Sequence, residues 1–187
     1  MVKKEIRVIG IDDSPFNKFK DSKSLVVGVV MRGGLYVDGI LSTKVIVDGN
    51  DSTRKVVEMI NKCKFKPQLQ CIFLDGIAVA GFNVIDVKEL NKKTKLPVIV
   101  VIRRKPGIKN IKKTLIKINK MDKIKLIEKA GEVFKIQNIF VQSVGIKIDD
   151  LRRILKVVCT RSFLPEPIRL AHLIAQGIVF GESKGRA

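Results

Sequence analysis

Short apolar runs alternate along this chain with stretches whose apolar residues recur at helical spacing. Residues 5–11 read as a strand. Residues 25–31 and 35–47 read as two further β-rich runs joined at Gly33-Gly34, a pair able to take positive φ and so to close a hairpin. After Asp48-Gly49-Asn50-Asp51, the residues Val56, Val57, Ile60 and Cys63 share one helical face, with Asp51 or Ser52 as N-cap and Pro67 as the stop. Residues 70–74 and 97–102 are continuously apolar, as strands buried on both faces are, and a short helix is expected between them over 82–91.

Beyond residue 102 the pattern changes. Between 103 and 125 ten basic residues, beginning with Arg103, Arg104 and Lys105, meet only Asp122, which predicts a basic insert or arm. Residues 132–136 and 139–141 suit a hairpin turning at Gln137-Asn138, and 149–159 and 167–179 suit amphipathic helices, the second started by Leu164-Pro165-Glu166-Pro167. Three leading antiparallel strands, then parallel strands joined through helices, is the order of a ribonuclease H-like mixed α/β sheet. The expectation is one domain over residues 1–187.

That order gives two aspartates a shared location. The first strand runs into Asp12-Asp13 and the fourth into Asp75-Gly76. Taken singly, each reads as turn chemistry, because Ser14-Pro15 and Gly76 follow. If the first and fourth strands are parallel neighbours, both carboxylates end at the carboxyl edge of the sheet, where open α/β folds place ligands and where the pair can share one cation.

Composition adds a partner. The chain of 187 residues has 37 Lys and Arg against 18 Asp and Glu, a net charge of +19. A lysine-rich surface suited to heat would carry matching glutamates, so the imbalance points to a polyanion, and nucleic acid is the expected one. No apolar stretch is long enough to span a bilayer and no signal-peptide core is evident, so the expected setting is soluble and cytoplasmic.

Other chemistry is weaker. Cys63, Cys71 and Cys159 lack CxxC spacing and read as buried small hydrophobes rather than as a zinc site, a disulfide framework or nucleophiles. His172, the sole histidine, has no acidic neighbour in sequence and reads as a packed or groove residue. Asp48 and Asp51 can form a metal loop or a turn with an N-cap; Asp149-Asp150 suits the first turn of a helix. With nine Phe, one Tyr and no Trp, a single-strand binder built on stacking platforms is disfavoured.

Three motifs carry a resemblance: Ile9-Gly10-Ile11-Asp12-Asp13-Ser14-Pro15-Phe16, Phe73-Leu74-Asp75-Gly76-Ile77-Ala78-Val79-Ala80-Gly81-Phe82-Asn83, and the tail from Leu164-Pro165-Glu166-Pro167-Ile168-Arg169 to Gly181-Glu182-Ser183-Lys184-Gly185-Arg186-Ala187. In these the chain resembles, nearly end to end, the uncharacterised domain of unknown function 99 family. That family is in turn similar to endonuclease V, a Mg²⁺-dependent nuclease of ribonuclease H-like fold that cuts near deaminated purines. The resemblance implies metal ligation by Asp12 and Asp75, which would also be the catalytic pair, with Asp51 standing where endonuclease V has a Glu. It implies phosphate contacts from Arg103, Arg104 and Lys105, which follow the Leu96-Pro97-Val98-Ile99 strand, and from Arg169 in the Leu-Pro-Glu-Pro-x-Arg run. The chain departs from endonuclease V in three places. Asp51 is shorter than Glu, no Pro-Tyr wedge stands between residues 45 and 50, and Gly145-Ile146 replaces a Gly-His.

The expected function is therefore an endonuclease V-like nuclease dependent on Mg²⁺ (or Mn²⁺) and acting on DNA or RNA. A catalytically silent nucleic-acid binder on the same fold is the alternative. An enzyme of a small phosphorylated substrate would not need so much positive charge.

Overall fold

The computed structural model describes residues 4–184; Gly185-Arg186-Ala187 of the C-terminal motif lie outside the described residues. The elements run β1 (Arg7–Asp13), β2 (Lys23–Arg32), β3 (Tyr36–Ile46), α1 (Ser52–Asn61), β4 (Cys71–Asp75), a small hairpin of β5 (Ala78–Val79) and β6 (Asn83–Val84), α2 (Val87–Thr94) and β7 (Val98–Ile102). They continue with α3 (Ile108–Lys117), α4 (Met121–Lys129), β8 (Phe134–Ile136), β9 (Ile139–Val144), α5 (Ile148–Val158) and α6 (Glu166–Phe180). The main sheet has the order β3-β2-β1-β4-β7-β9-β8. Within it β1, β4 and β7 are parallel and the pairings on either side are antiparallel. This is the ribonuclease H-like mixed sheet that the order of apolar runs predicts.

Strand alternation divides the core into two layers. Ile9, Ile11, Ile72 and Leu74 face one way and pack with Val56 and Ile60 of α1 and Leu90 of α2. Val8, Cys71, Phe73, Ile99 and Val101 face the other way, against Leu151, Leu155 and Val158 of α5 and Ile168 of α6. Side chains two apart along a strand share a face, so Asp12 continues the row of Val8 and Gly10, Asp75 that of Cys71 and Phe73, and Arg103 that of Ile99 and Val101. In the parallel register Val8 lies beside Cys71 and Gly10 beside Phe73, so the next step along that face sets Asp12 beside Asp75.

Gly10 determines how α6 lies on that face. A Cβ built there would sit 2.3 Å from the carbonyl carbon of Pro167 and 2.5 Å from the nitrogen of Ile168, so the first turn of α6 rests directly on the strand backbone. Four helical residues advance about 6 Å and two strand residues about 6.6 Å. One turn past Ile168, α6 therefore carries His172 to the level of Asp12.

One segment differs from its sequence expectation and another gains detail. The helix expected over 82–91 begins at Val87, because the Asp86 carboxylate accepts from the N–H groups of Lys88 and Glu89 and caps it there, while Asn83 and Val84 pair with β5. The basic insert or arm after β7 takes the form of the helices α3 and α4, whose Ile111, Leu115, Ile124 and Ile127 pack on Ile77, Phe82 and Val84. The density of lysine hides that 3.6-residue period. Among the described residues no helix is long and apolar enough to cross a membrane.

Replacing Gly10 by Ala is expected to destabilise the protein by about 3 kcal/mol, because neither backbone has a side chain that can give way. Urea unfolding measures this, and Gly28→Ala, whose Cβ meets only the side chains of Ile9 and Met59 at 3.0 Å or more, is the milder comparison.

Candidate functional site

The row of side chains at the carboxyl ends of β1, β4 and β7 opens into a cleft of about 550 Å³ lined by Asp12, Asp13, Ser14, Pro15, Phe16, Asp75, Arg103 and His172. Asp12 is 6% exposed; Asp75 and His172 are partly exposed. Asp12, Asp75 and His172 each offer a ligand atom within 4.8 Å of the other two. Arg103 extends from β7 and its guanidinium donates to Asp75 Oδ2 at 2.7 Å.

A hydrogen-bond chain assigns the proton on His172. The backbone N–H of Lys184 donates to Gln176 Oε1 at 2.7 Å, which leaves the Gln176 amide nitrogen to donate to His172 Nε2 at 2.9 Å. Nε2 is then an acceptor, and the ring proton sits on Nδ1, donating to Asp12 Oδ2 at 2.8 Å. The hydrogen bond to Asp12 raises the His172 pKa against the opposing pull of burial. Taking up a second proton would turn Nε2 into a donor and require the Gln176 amide to turn.

The carboxylates crowd one another. Burial first, then the neighbouring Asp12, pushes the Asp75 pKa up, and Arg103 opposes both. Asp13 points to the other face of β1, where its Oδ2 accepts from the Ala80 N–H at 2.8 Å; burial, with added repulsion from Asp12 and Asp75, raises it to about 6. Such a cluster relaxes when a cation enters. Ligands of one hard cation at about 2.0–2.6 Å lie no more than about 5 Å apart, so the spacing and the two carboxylates fit Mg²⁺ or Mn²⁺, with His172 beside them, both of its ring nitrogens engaged by Asp12 and Gln176.

The other sequence candidates fall elsewhere. Asp51 occupies the N-cap position of α1 without capping it; its Oδ1 accepts from Ile46 N–H at 3.1 Å and from the Asn83 amide at 2.7 Å, away from the Asp12–Asp75 cluster. Arg104 and Lys105 are exposed just past β7. Arg169 folds back on Glu166 Oε2 at 2.7 Å and does not line the cleft. The lysines of the basic segment divide. Lys123, 2% exposed, bonds the Gly49 carbonyl and the Asn50 side chain, Lys120 bonds the Asp48 carbonyl at 2.6 Å, and Lys112 pairs with Glu128, so these fasten α3 and α4. Lys113, Lys117 and Lys125 face solvent.

His172 corrects the sequence reading. It lies in a groove as expected, yet it has an acidic partner that sequence distance conceals, 160 residues away. The usable signal was Gly10, a strand glycine two residues before Asp12 that marks a close helix approach. Cys71 is fully buried and its thiol is pushed well up by that burial, consistent with a packed small hydrophobe.

Comparison with known proteins places this geometry in context. A family model described as endonuclease dU matches residues 4–179. A UPF0215 protein of Methanothermobacter thermautotrophicus is 44% identical over 192 residues, covering 100% of this chain and 94% of that protein. The crystal structure of a protein of unknown function from Archaeoglobus fulgidus superposes with a TM-score of 0.87 at 39% identity, covering 94% of this chain and 99% of that one. Endonuclease V of Ciona intestinalis, solved with a 24mer DNA containing an inosine followed by a ribo-adenosine, matches with a TM-score of 0.55 at 20% identity over 88% of this chain and 82% of that one. The likeness to endonuclease V expected from the motifs holds at the level of the fold.

Asp13 offers an electrostatic test. Its folded pKa lies above the ordinary carboxylate value, so the folded state holds this proton more tightly than the unfolded chain, and metal-free stability falls as pH rises from about 4 to about 6. Asp13→Asn keeps an acceptor for Ala80 and removes the charge. In the presence of a chelator, the variant is expected to be more stable than the parent by about 2–3 kcal/mol near pH 7 and equal to it near pH 3.5, read by urea unfolding.

Proposed function

Because the chain belongs to the endonuclease dU family, we propose that it is a Mg²⁺- or Mn²⁺-dependent nuclease that hydrolyses a phosphodiester of nucleic acid at or beside a deaminated base, deoxyuridine in DNA first among them. One observation carries the reading: two carboxylates on neighbouring parallel strands and a histidine, all within 4.8 Å, at the mouth of an open cleft on a strongly basic protein. Asp12 and Asp75 would hold the metal. Asp51 would join them only by giving up its bonds to Ile46 and Asn83. When bound, such an ion supplies an activated water and charge stabilisation for the leaving oxygen.

The side chains of the protein do the remaining work. His172, locked by Gln176 and bonded to Asp12, orients that carboxylate and holds a proton on Nδ1 at the edge of the cleft. Arg103, now paired with Asp75, is placed to exchange that partner for a backbone phosphate, since a guanidinium binds either oxyanion through the same fork. Arg104 and Lys105 extend the phosphate track, and they position a strand without reading its bases. A working place in the cytoplasm follows from a nucleic-acid substrate and forms part of the proposal.

A catalytically silent binder on the same fold is the second reading. The Arg103–Asp75 ion pair favours it, because an internal cation partly neutralises the cluster without metal.

Calorimetric titration with Mg²⁺ and Mn²⁺ should show one ion bound, lost in Asp12→Asn. Cleavage of deoxyuridine-containing strands should fall by about 10²-fold or more in Asp75→Asn, the equivalent of losing several kcal/mol of charge stabilisation. Oligonucleotides bound but left uncut with metal present would turn the conclusion to the silent binder. Affinity should also fall by roughly 10³-fold or more between 50 and 200 mM salt as released counterions lose their advantage. A flat response would exclude a polyanionic ligand.

A further inference from the structure

The loop between β1 and β2 holds a side chain that neither packing nor the proposed catalysis explains. Phe19 is 94% exposed, the most exposed large hydrophobic residue among those described. A single exposed apolar residue is ordinary; the way this one is held is not. Asn17 and Asp21 close the turn beneath it: Asn17 N–H donates to Asp21 Oδ2 at 2.6 Å, Phe19 N–H to Asn17 Oδ1 at 2.9 Å, and Asp21 N–H to the Asn17 carbonyl at 2.8 Å. The ring is thus presented on a closed turn, with exposed Lys18 and Lys20 on either side.

The root of the loop is part of the cleft wall. Ser14, Pro15 and Phe16 line it beside Asp12 and Asp75, and the Phe16 ring edge lies 3.5 Å from where a Cβ on Gly81 would be, so Phe16 is braced against the turn between β5 and β6. Three residues span at most about 11 Å, which is about three stacked base steps at 3.4 Å. Phe19 therefore lies within about three base steps of the cleft wall, a range that a strand whose phosphate sits over Asp12 and Asp75 covers. The flanking lysines suit the adjoining phosphates, and every base offers a π-face to a ring.

We propose that Phe19 is a stacking residue that holds an unpaired nucleobase within about three nucleotides of the scissile phosphate, with Lys18 and Lys20 on the adjoining backbone. This rests on the nucleic-acid reading of the same cleft. One aromatic does not make a general single-strand platform. It supplies a local stop that fixes which phosphate lies over the carboxylates.

The chain has no tryptophan, so Phe19→Trp introduces a sole indole reporter that still stacks. Its emission should be strongly quenched on adding single-stranded DNA. Phe163→Trp, placed before the start of α6 and outside the cleft lining, should not respond. Phe19→Ala should weaken binding to the same strand by roughly tenfold to a hundredfold with an unchanged salt slope, because a base contact is lost and no phosphate contact. On a strand of abasic residues it should bind as the parent does. Loss of a side chain so exposed leaves folding intact, which circular dichroism verifies. If the parent binds DNA by anisotropy while the indole emission of the Phe19→Trp variant is unmoved and Phe19→Ala binds equally well, the stacking role is overturned and the nucleic-acid reading stands. If the parent binds no nucleic acid, both fall together.

Discussion

The close approach of α6 to the backbone of Gly10 is the constraint from which the rest of the site follows. With no side chain between them, Pro167 and Ile168 settle on β1, and the similar advance of one helical turn and two strand residues brings His172 against Asp12. A larger residue at position 10 would lift the helix and separate that pair. The same packing seals the layer formed by Val8, Phe73, Val101 and Ile168, so core stability and site geometry rest on one contact.

On this frame the carboxylates are held closer than water alone would let them sit. Asp12 and Asp75 are drawn together by parallel register at the ends of β1 and β4, with Asp13 on the opposite face of β1, and the resulting repulsion is answered on two sides, by the Arg103 guanidinium at Asp75 and by the His172 imidazole at Asp12. The two answers differ in kind. Arg103 is partly exposed, and a guanidinium takes a phosphate in place of a carboxylate, while the His172 proton on Nδ1 is held by Asp12 and the Gln176 amide at Nε2 must turn before the ring can gain another. A cleft built in this way favours the entry of positive charge at its floor and of negative charge at its rim.

The basic segment after β7 shows that net charge is not spread evenly over one task. Lys112, Lys120 and Lys123 are spent on Glu128 and on the loop at residues 48–50, fixing α3 and α4 over the β5–β6 hairpin. That hairpin also carries the Ala80 N–H that meets Asp13 and the Gly81 that backs Phe16, so the two helices brace one wall of the cleft. The positive field available to a polyanion comes from the remaining exposed bases, Arg104, Lys105, Lys113, Lys117 and Lys125 among them.

Much of this was legible in the chain itself. Apolar runs of period 2 or of continuous burial located β1 to β4, β7 and the final helices, and the order of those runs required the mixed sheet. Asp12 and Asp75 could be paired because both close such runs, and parity along a strand is a property of sequence. What the chain could not reveal was register and approach. The offset that aligns Val8 with Cys71 is a backbone pairing, and it decides that Asp12 meets Asp75 rather than passing it. Asp51 looked equivalent by position but is held by Asn83 from the distant strand β6, and the lysines of α3 and α4 looked alike until burial separated them. The pairing of His172 with Asp12 across 160 residues lay beyond any local pattern, because it is created by two backbones meeting at a glycine, a contact that only the folded chain can make.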